Sequence, residues 1–423
     1  MTEPTPDTEP ACTSNPRVAL SLIETAIAGS SPADGKEYLA GLYVKKGELL
    51  MELFKDDPDP AHVGMAVQSL ERARQLLSRR QHPEAYAEAM FHYGHALLVS
   101  ADLSASADVG KKALQALSEA ASYYTGPKDR MNEAIIAWNA GMAHHLIYAV
   151  TGSVPQLAKA QKKFEQAVSI LETETEAHTQ MPRILFSLAS IQDEMAEHTA
   201  PVRNRKAAIA TYRRALETYE EGSEEWAHTQ VRLGASLFEL AVKEWDAAYA
   251  DDIYAAYDKA VQVLTRAAYP ERYAEAMHFK AIAATVAAAL RKEQRDRDIL
   301  RSAYNETFSV YTPQTHPREY AESRLAVGRS YRDEDPDSPR CQEQALEAYE
   351  SVVALKTSDE VLGPQSLAAR EIGTLAVKLG GKRKDFIARA HEALDTMLMQ
   401  KGSLPSEEVD AMLTLMEQLN TLS

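Results

Sequence analysis

Histidines are the first residues of this sequence that could carry chemistry. His92 and His95 stand three residues apart, and His144 and His145 are neighbours. Imidazole is a common ligand for zinc and related ions, so a site shared by two adjacent helices is one interpretation. We identify no cysteine or carboxylate that joins these histidines at ligand spacing, and neighbouring residues of a helix point about 100° apart. We therefore predict no metal site, and interpret the four side chains as hydrogen-bonded or solvated.

Two charged clusters are weaker candidates. Glu194, Glu197 and His198 form an acidic group at a predicted helix end, but general acid–base catalysis needs a partner in a closed pocket. We interpret this group as a solvated helix face. The basic run 382–384 is short and lies in an acidic chain, which argues against nucleic acid. The sequence contains no glycine-rich phosphate loop, Ser/His/Asp arrangement or H-E-x-x-H motif, so we expect no enzyme activity and no cofactor.

The composition disfavours several classes of partner. The 423 residues include 46 Lys and Arg against 62 Asp and Glu, a net charge of −16, so we expect neither nucleic acid nor a membrane surface as a partner. Cys12 and Cys341 are the only cysteines, which gives no disulfide framework. The start of the chain is acidic rather than basic and apolar, unlike a signal peptide. These features predict a cytoplasmic protein.

The elements that position these side chains repeat along the chain. A series of alanines recurs in steps of 47, 47, 93, 47, 47 and 47 residues, and Pro182 divides the long step. A second series, small in every repeat but the last, follows each alanine and Pro182 by seven positions; we call it the small-residue mark. A fixed period of this size is typical of a solenoid, whose repeats bury their apolar faces by stacking on one another. The alanines are Ala40, Ala87, Ala134, Ala227, Ala274, Ala321 and Ala368, and the mark is Gly47, Gly94, Gly141, Ala189, Gly234, Ala281, Gly328 and Leu375.

Each repeat predicts a pair of helices. In the second repeat Tyr86, Met90, Tyr93 and Leu97 share one stripe of a first helix, helix A. The following helix B carries small, large and small residues at i, i+4 and i+7, which is a close-packing seam. Strand-like alternation is absent from the sequence. The seams are Ala66–Leu70–Ala73, Ala113–Leu117–Ala120, Ala160–Phe164–Ala167 and Ala208–Tyr212–Ala215.

The repeats also define the domain organisation. We predict a disordered acidic tail over 1–16 and an N-terminal capping helix with its linker over 17–36. Eight helix hairpins follow over 37–400, and a C-terminal capping helix over 401–423. Proline near helix starts, as at Pro83, Pro270 and Pro317, supports the predicted helix boundaries.

The seam and the mark together resemble the tetratricopeptide repeat. In that family helix A carries W-x2-L-G-x2-Y and helix B carries A-x3-F, which Leu233-Gly234 and Val327-Gly328-x2-Tyr331 match in part. The resemblance implies an all-α fold, a right-handed α-solenoid of antiparallel hairpins with terminal capping helices. HEAT and armadillo repeats also reach this repeat length but lack this pairing, and are the second interpretation.

A narrower likeness covers about residues 37 to 400. The segments 82–87, 269–274 and 316–321 resemble the long tetratricopeptide repeats of bacterial proteins that often carry a caspase-like CHAT protease domain. The last part of this chain is repeat-like, so we expect a free-standing repeat arm without the protease. The resemblance also implies a bacterial source.

The tetratricopeptide likeness further implies a concave groove lined by helix A. Aromatic side chains at one groove position in three successive repeats, with polar groups between them, are typical of a recognition surface. The alternative is that longer helices turn these aromatic side chains into the core. Transferred by position, the groove residues are Phe91, His92, His95, Trp138, Asn139, Met142, His145, Arg183, Phe186 and Arg232.

We therefore expect a non-enzymatic interaction module that binds a peptide, helix or partner domain in this groove. A regulatory arm for a separate effector is one form of that function. The alternative is a sensor of a small molecule or signal peptide that responds by changing the pitch of the solenoid. The sequence leaves the oligomeric state open.

Overall fold

The computed structural model describes residues 15–31, 35–173 and 179–422. Throughout these ranges the regular secondary structure is helical, with no strand. The predicted all-α fold of repeated helix hairpins is confirmed. Most of the predicted tail, residues 1–14, lies outside the described residues.

The chain divides into two compact units after Thr218. In the first unit α1 (Pro16–Gly29) precedes four antiparallel hairpins, each made of a long A helix followed by a B helix. The A helices are α2 (Lys36–Asp56), α4 (Pro83–Leu103), α6 (Arg130–Thr151) and α8 (Met181–His198), and the B helices are α3 (Pro60–Leu76), α5 (Ala107–Ala121), α7 (Val154–Leu171) and α9 (Pro201–Thr218).

The second unit repeats this pattern with four more hairpins and ends in α18 (Ser406–Leu422). Its A helices are α10 (Glu224–Glu244), α12 (Pro270–Arg291), α14 (Pro317–Glu334) and α16 (Asp359–Leu379). Its B helices are α11 (Ala250–Val263), α13 (Gln294–Thr307), α15 (Pro339–Val353) and α17 (Lys384–Leu398). No described helix is both long and apolar enough to cross a membrane.

The recurring alanines form the core of both units. Every alanine of the series is at most 1% exposed, and Pro182 is buried in the equivalent place. Because alanine has no side chain beyond Cβ, it lets the neighbouring helix backbone approach closely. The period of the sequence is therefore the period of helix-to-helix contact.

The small-residue mark has a specific packing partner. A Cβ atom added at Gly47 or Gly141 would lie 2.5 Å from the side chain of Leu70 or Phe164, and one at Gly94 would lie 2.8 Å from Leu117. Each of these large residues is the centre of the helix B seam in the same hairpin. The mark is therefore the hole into which the seam of the same repeat inserts.

Helix starts follow the predicted sequence signals. Pro83, Pro270 and Pro317 occupy the first turn of α4, α12 and α14, where a missing N–H costs no hydrogen bond. Ser223 caps α10, its hydroxyl accepting a hydrogen bond from the N–H of Trp226 at 3.2 Å.

Five of the described turns between A and B helices share a backbone feature that the sequence does not reveal. Ala105, Gly152, Ala200, Trp245 and Lys292 all have positive φ, between 43° and 67°. Each stands eleven residues after the mark of its repeat. These five hairpins thus place a left-handed residue at the same point, although only one of them supplies glycine there.

The terminal helices pack on the adjoining hairpins. In α1, Leu20 contacts the first core and Glu24 forms an ion pair with Lys46 at 2.7 Å. In α18, Met412 and Leu419 are fully buried against the last core. Both helices therefore cover apolar surface at the end of an array.

Candidate functional site

The predicted groove residues lie on the surface formed by the A helices. Side chains on this surface link successive A helices. We call this surface the A-helix face. Successive A helices of a unit contact each other, as α2 does α4 and α14 does α16, and side-chain bonds link α6 to α8. A ligand on this face would touch more than one repeat at once.

The centre of the first unit presents an aromatic and a basic side chain together. The half-buried Trp138 on α6 donates its Nε1–H to Ser187 Oγ on α8 at 3.1 Å. The exposed Arg183 lies over the indole ring, 5.7 Å from its centroid, within the range of a cation–π contact. Met142, one turn from Trp138, is 37% exposed. We call these four residues the Trp138 patch.

A polar cluster continues along the same two helices. His145 Nε2 lies 2.7 Å from Glu194 Oε2, and the ring of His145 stacks on Tyr148. The hydroxyl of Tyr148 in turn lies 2.7 Å from His198 Nε2. Glu197 instead forms an ion pair with Arg205 of α9. The 194–198 group lies at an exposed helix end, as expected of a solvated face, and each of its three polar residues also has a specific partner.

A second histidine–carboxylate pair links α2 and α4. His92 Nε2 lies 3.0 Å from Glu48 Oε1, while Lys45 Nζ lies 2.9 Å from the other oxygen of the same carboxylate. Bonding to His92 is the main reason why the pKa of Glu48 falls to about 2, with Lys45 adding to the shift and burial opposing it. Glu48 is therefore ionised at neutral pH.

The four histidines do not form one site. His92 faces α2, His145 faces α8, and His144 Nδ1 lies 2.7 Å from Gln156 Oε1 on α7 of its own hairpin. Burial lowers the pKa of His95 to about 4, which keeps its ring neutral. The interpretation that no carboxylate joins these histidines was wrong: Glu48 and Glu88 both come close to His92.

Several other predicted groove residues pack into the interior instead of lining an open surface. Asn139 is buried, and Phe91 packs against the core of the second hairpin. Phe186 makes an edge contact with Tyr212 at 5.8 Å. Arg232 lies half-buried on α10 of the second unit, near Tyr257. The alternative that aromatic groove residues belong to the core therefore fits Phe91 and Phe186 better than Trp138.

The sequence interpretation missed a cleft of about 690 Å³ in the second unit. Its apolar floor includes Leu300, Leu325 and Leu367, and charged side chains surround it. Arg329 stands one residue after the mark Gly328, which is one of the groove positions used in the earlier repeats. Applying the same positions to the seventh repeat would have predicted Arg329 as a groove residue. The charged side chains are Lys292, Arg297, Glu322, Arg329 and Asp333.

No protein-family model matches the sequence, and no curated protein is significantly similar to it. Solved structures do match. The C-terminal part of a TPR repeat-containing protein from Cytophaga hutchinsonii is 12% identical, with a TM-score of 0.44 over 78% of this chain and 94% of that one. The apo form of RapI is 11% identical, with a TM-score of 0.44 over 93% and 99%.

A STAND ATPase with a tetratricopeptide repeat sensor, from Pyrococcus horikoshii, is 13% identical, with a TM-score of 0.47 over 92% of this chain and 56% of that one. Similarity at this level says nothing about what the present chain binds. The fold follows from its own geometry, in which a glycine on five of the A helices receives a large side chain of the B helix in the same hairpin. The chain is a tetratricopeptide-like array of unusually long helix hairpins.

Proposed function

We propose that the chain is a protein-interaction module that binds a peptide or helix of a partner protein on the A-helix face of its first unit. The observation that supports this most directly is the Trp138 patch, where an indole ring is held in one orientation by Ser187 and covered in part by Arg183. A large aromatic side chain with a fixed orientation loses little entropy on binding, and such residues dominate interface energies.

The chemistry of the patch indicates what the partner should present. Trp138 and the exposed Met142 offer apolar contact, and methionine adapts its shape to its partner. Arg183 offers a guanidinium group that can bind a carboxylate with two hydrogen bonds. We therefore propose an apolar anchor residue followed by an acidic residue as the recognised feature.

A binding screen with displayed peptides tests this proposal. Peptides that bind the intact chain are synthesised, and their affinities are measured for Trp138→Ala and Arg183→Ala. Losing an anchor should weaken binding by at least ~2 kcal/mol, roughly thirtyfold. Trp245→Ala is the matched control, since that indole is 69% exposed and stands in the turn after α10.

Thermal unfolding of each variant separates binding from folding. Arg183 is exposed, so its removal should leave the melting temperature unchanged while binding falls. Unchanged affinity in both variants would exclude the patch as the binding site.

A sensor function is the second candidate, and the cleft in the second unit favours it. A volume of about 690 Å³ lies within the range of small-molecule sites. Native mass spectrometry of the purified chain would detect a retained small molecule. Leu367→Trp, which narrows the cleft, should abolish that retention without affecting peptide binding in the first unit.

A further inference from the structure

Glu88 has no partner of opposite charge. It is exposed on α4, and within the described part of the chain it makes no hydrogen bond or ion pair. One of its oxygens, one oxygen of Glu48 and a ring nitrogen of His92 nevertheless all lie within 4.8 Å of one another. Two carboxylates thus converge on a single imidazole.

This arrangement leaves negative charge uncompensated. His92 and Lys45 each bond to Glu48, at 3.0 and 2.9 Å, and neither of these bonds reaches Glu88. Two carboxylates at this separation repel each other unless a cation lies between them. Lys45 bonds to Oε2 of Glu48, and Oε1 of the same carboxylate is directed towards His92.

The spacing of the three side chains suits a metal ion. Glu88 and His92 are four residues apart on α4, so they share one face of the helix, and Glu48 comes from α2 of the preceding hairpin. Zinc bonds of ~2.0–2.2 Å to nitrogen and oxygen place ligand atoms roughly 3.3–3.6 Å apart in a tetrahedral site. The pair of His92 and Glu48 is already close to that distance, and the exposed Glu88 is free to approach.

We propose that Glu48, Glu88 and His92 bind a first-row divalent transition ion such as Zn²⁺. One imidazole with two carboxylates is a donor set for zinc or manganese rather than for magnesium, which prefers oxygen alone. Three protein ligands leave at least one position open to water. The bound ion joins α2 to α4, and so fixes the first two hairpins to each other.

The chain contains a matched control for this site. His145 and Glu194 form the same kind of link between A helices, with a nitrogen-to-oxygen distance of 2.7 Å. Four residues before His145 stands Gly141, in the place that Glu88 holds relative to His92. The second pair therefore has the histidine and one carboxylate but lacks the third ligand on the helix.

Calorimetric titration of the untagged, chelator-treated full chain with Zn²⁺ tests the proposal. We expect one site in the wild type, at least tenfold weaker binding in Glu88→Gln, and wild-type binding in His145→Asn. Glu88→Gln is the decisive variant, because an exposed residue without protein bonds can change without unfolding the helix. Excess Mg²⁺ should not displace the zinc.

Thermal unfolding supplies a second measurement. Zinc should raise the melting temperature of the wild type, since a ligand that binds only the folded state stabilises it, and should raise that of Glu88→Gln much less. If wild type and Glu88→Gln bind zinc equally, the His92–Glu48 link is an ion pair only and the proposal is wrong. Equal loss of binding in His145→Asn would also overturn it, since zinc would then lie elsewhere.

Discussion

At the scale of single residues, His278 shows how this fold encloses a titratable group. It lies on α12 with its Nδ1 3.4 Å from Ser323 Oγ on α14, and its ring contacts Tyr304 and Tyr311 at 5.7 Å. Burial lowers the pKa of His278, and the nearby carboxylates of Glu322 and Glu319 oppose this effect only in part. The neutral ring is therefore the form that the fold accepts.

We predict that His278 makes the second unit less stable in mild acid. Because the folded-state pKa lies below the unfolded value of 6.5, the unfolded chain binds the proton first as the pH falls. Stability is fully present above pH 6.5 and falls below it, with a slope of at most ~1.4 kcal/mol per pH unit for one proton. Denaturant unfolding of His278→Gln at several values between pH 7.5 and 5 should show a shallower decline than wild type.

Three further histidines bear on the design of that experiment. His95, His144 and His228 also have pKa values lowered by burial, so the wild-type slope has several contributions. His228→Gln in the same unit serves as the comparison, and the two effects should add if the sites are independent. An unchanged slope in His278→Gln would show that the ring is not enclosed in solution.

The sequence did not predict which side chains pair between neighbouring hairpins. Trp138 and Ser187 are 49 positions apart, and His145 and Glu194 are also 49 apart, so each pairing depends on how one hairpin sits on the next. A repeat period shows that hairpins stack, but it does not give their rotation. The Glu88–His92 spacing, in contrast, lies within one helix, so it could have been identified from the sequence, but it was missed.

At the scale of the element, the small-residue mark and the helix B seam act as one device. A Cβ atom at Gly141 would lie 2.5 Å from Cε1 of Phe164, a separation that no packed carbon pair adopts. The sequence predicted that the mark and the seam recur in successive repeats. It did not predict that the mark and the seam face each other within a hairpin.

We predict opposite effects from two glycine-to-alanine changes. Gly141→Ala should destabilise the chain by ~1–3 kcal/mol, because the added methyl group forces Phe164 or a helix backbone to move. Gly64→Ala on α3 is the control: no atom lies within 4 Å of its added Cβ, so the change should gain up to ~1 kcal/mol from helix propensity. Denaturant unfolding measures both.

A double-mutant cycle identifies the cause of the loss. The cost of Gly141→Ala should shrink in a Phe164→Ala background, where the clashing ring is absent. An equal cost in both backgrounds would mean that the helices meet elsewhere.

The hairpin turns show a second limit of sequence reasoning. Glycine is the residue expected at left-handed positions. In the five turns that share this position, however, one has Gly152 and the others have Ala105, Ala200, Trp245 and Lys292. Strain of this kind costs about 1–2 kcal/mol per residue and persists only because packing on both sides fixes the turn. Local residue preference therefore misses a feature that recurs in five of the hairpins.

At the scale of the whole molecule, contacts are local along the chain. Among the described helices, every extensive contact joins members of one hairpin or of the next hairpin, including the terminal helices. The chain divides accordingly into two compact units after Thr218. In such an array stability is the sum of terms for each repeat and each neighbouring interface.

We predict that a packing defect remains confined to the unit that contains it. Gly141 lies on α6 where Phe164 of α7 packs against it, and both helices also contact the adjoining hairpins. Hydrogen exchange measured on peptides should therefore become faster in α4–α9, most of all in α6 and α7. Exchange in α14–α17 should stay at the wild-type rate, because no extensive contact carries the defect that far along the chain. Faster exchange spread evenly over both units would instead show that the chain unfolds as one cooperative domain.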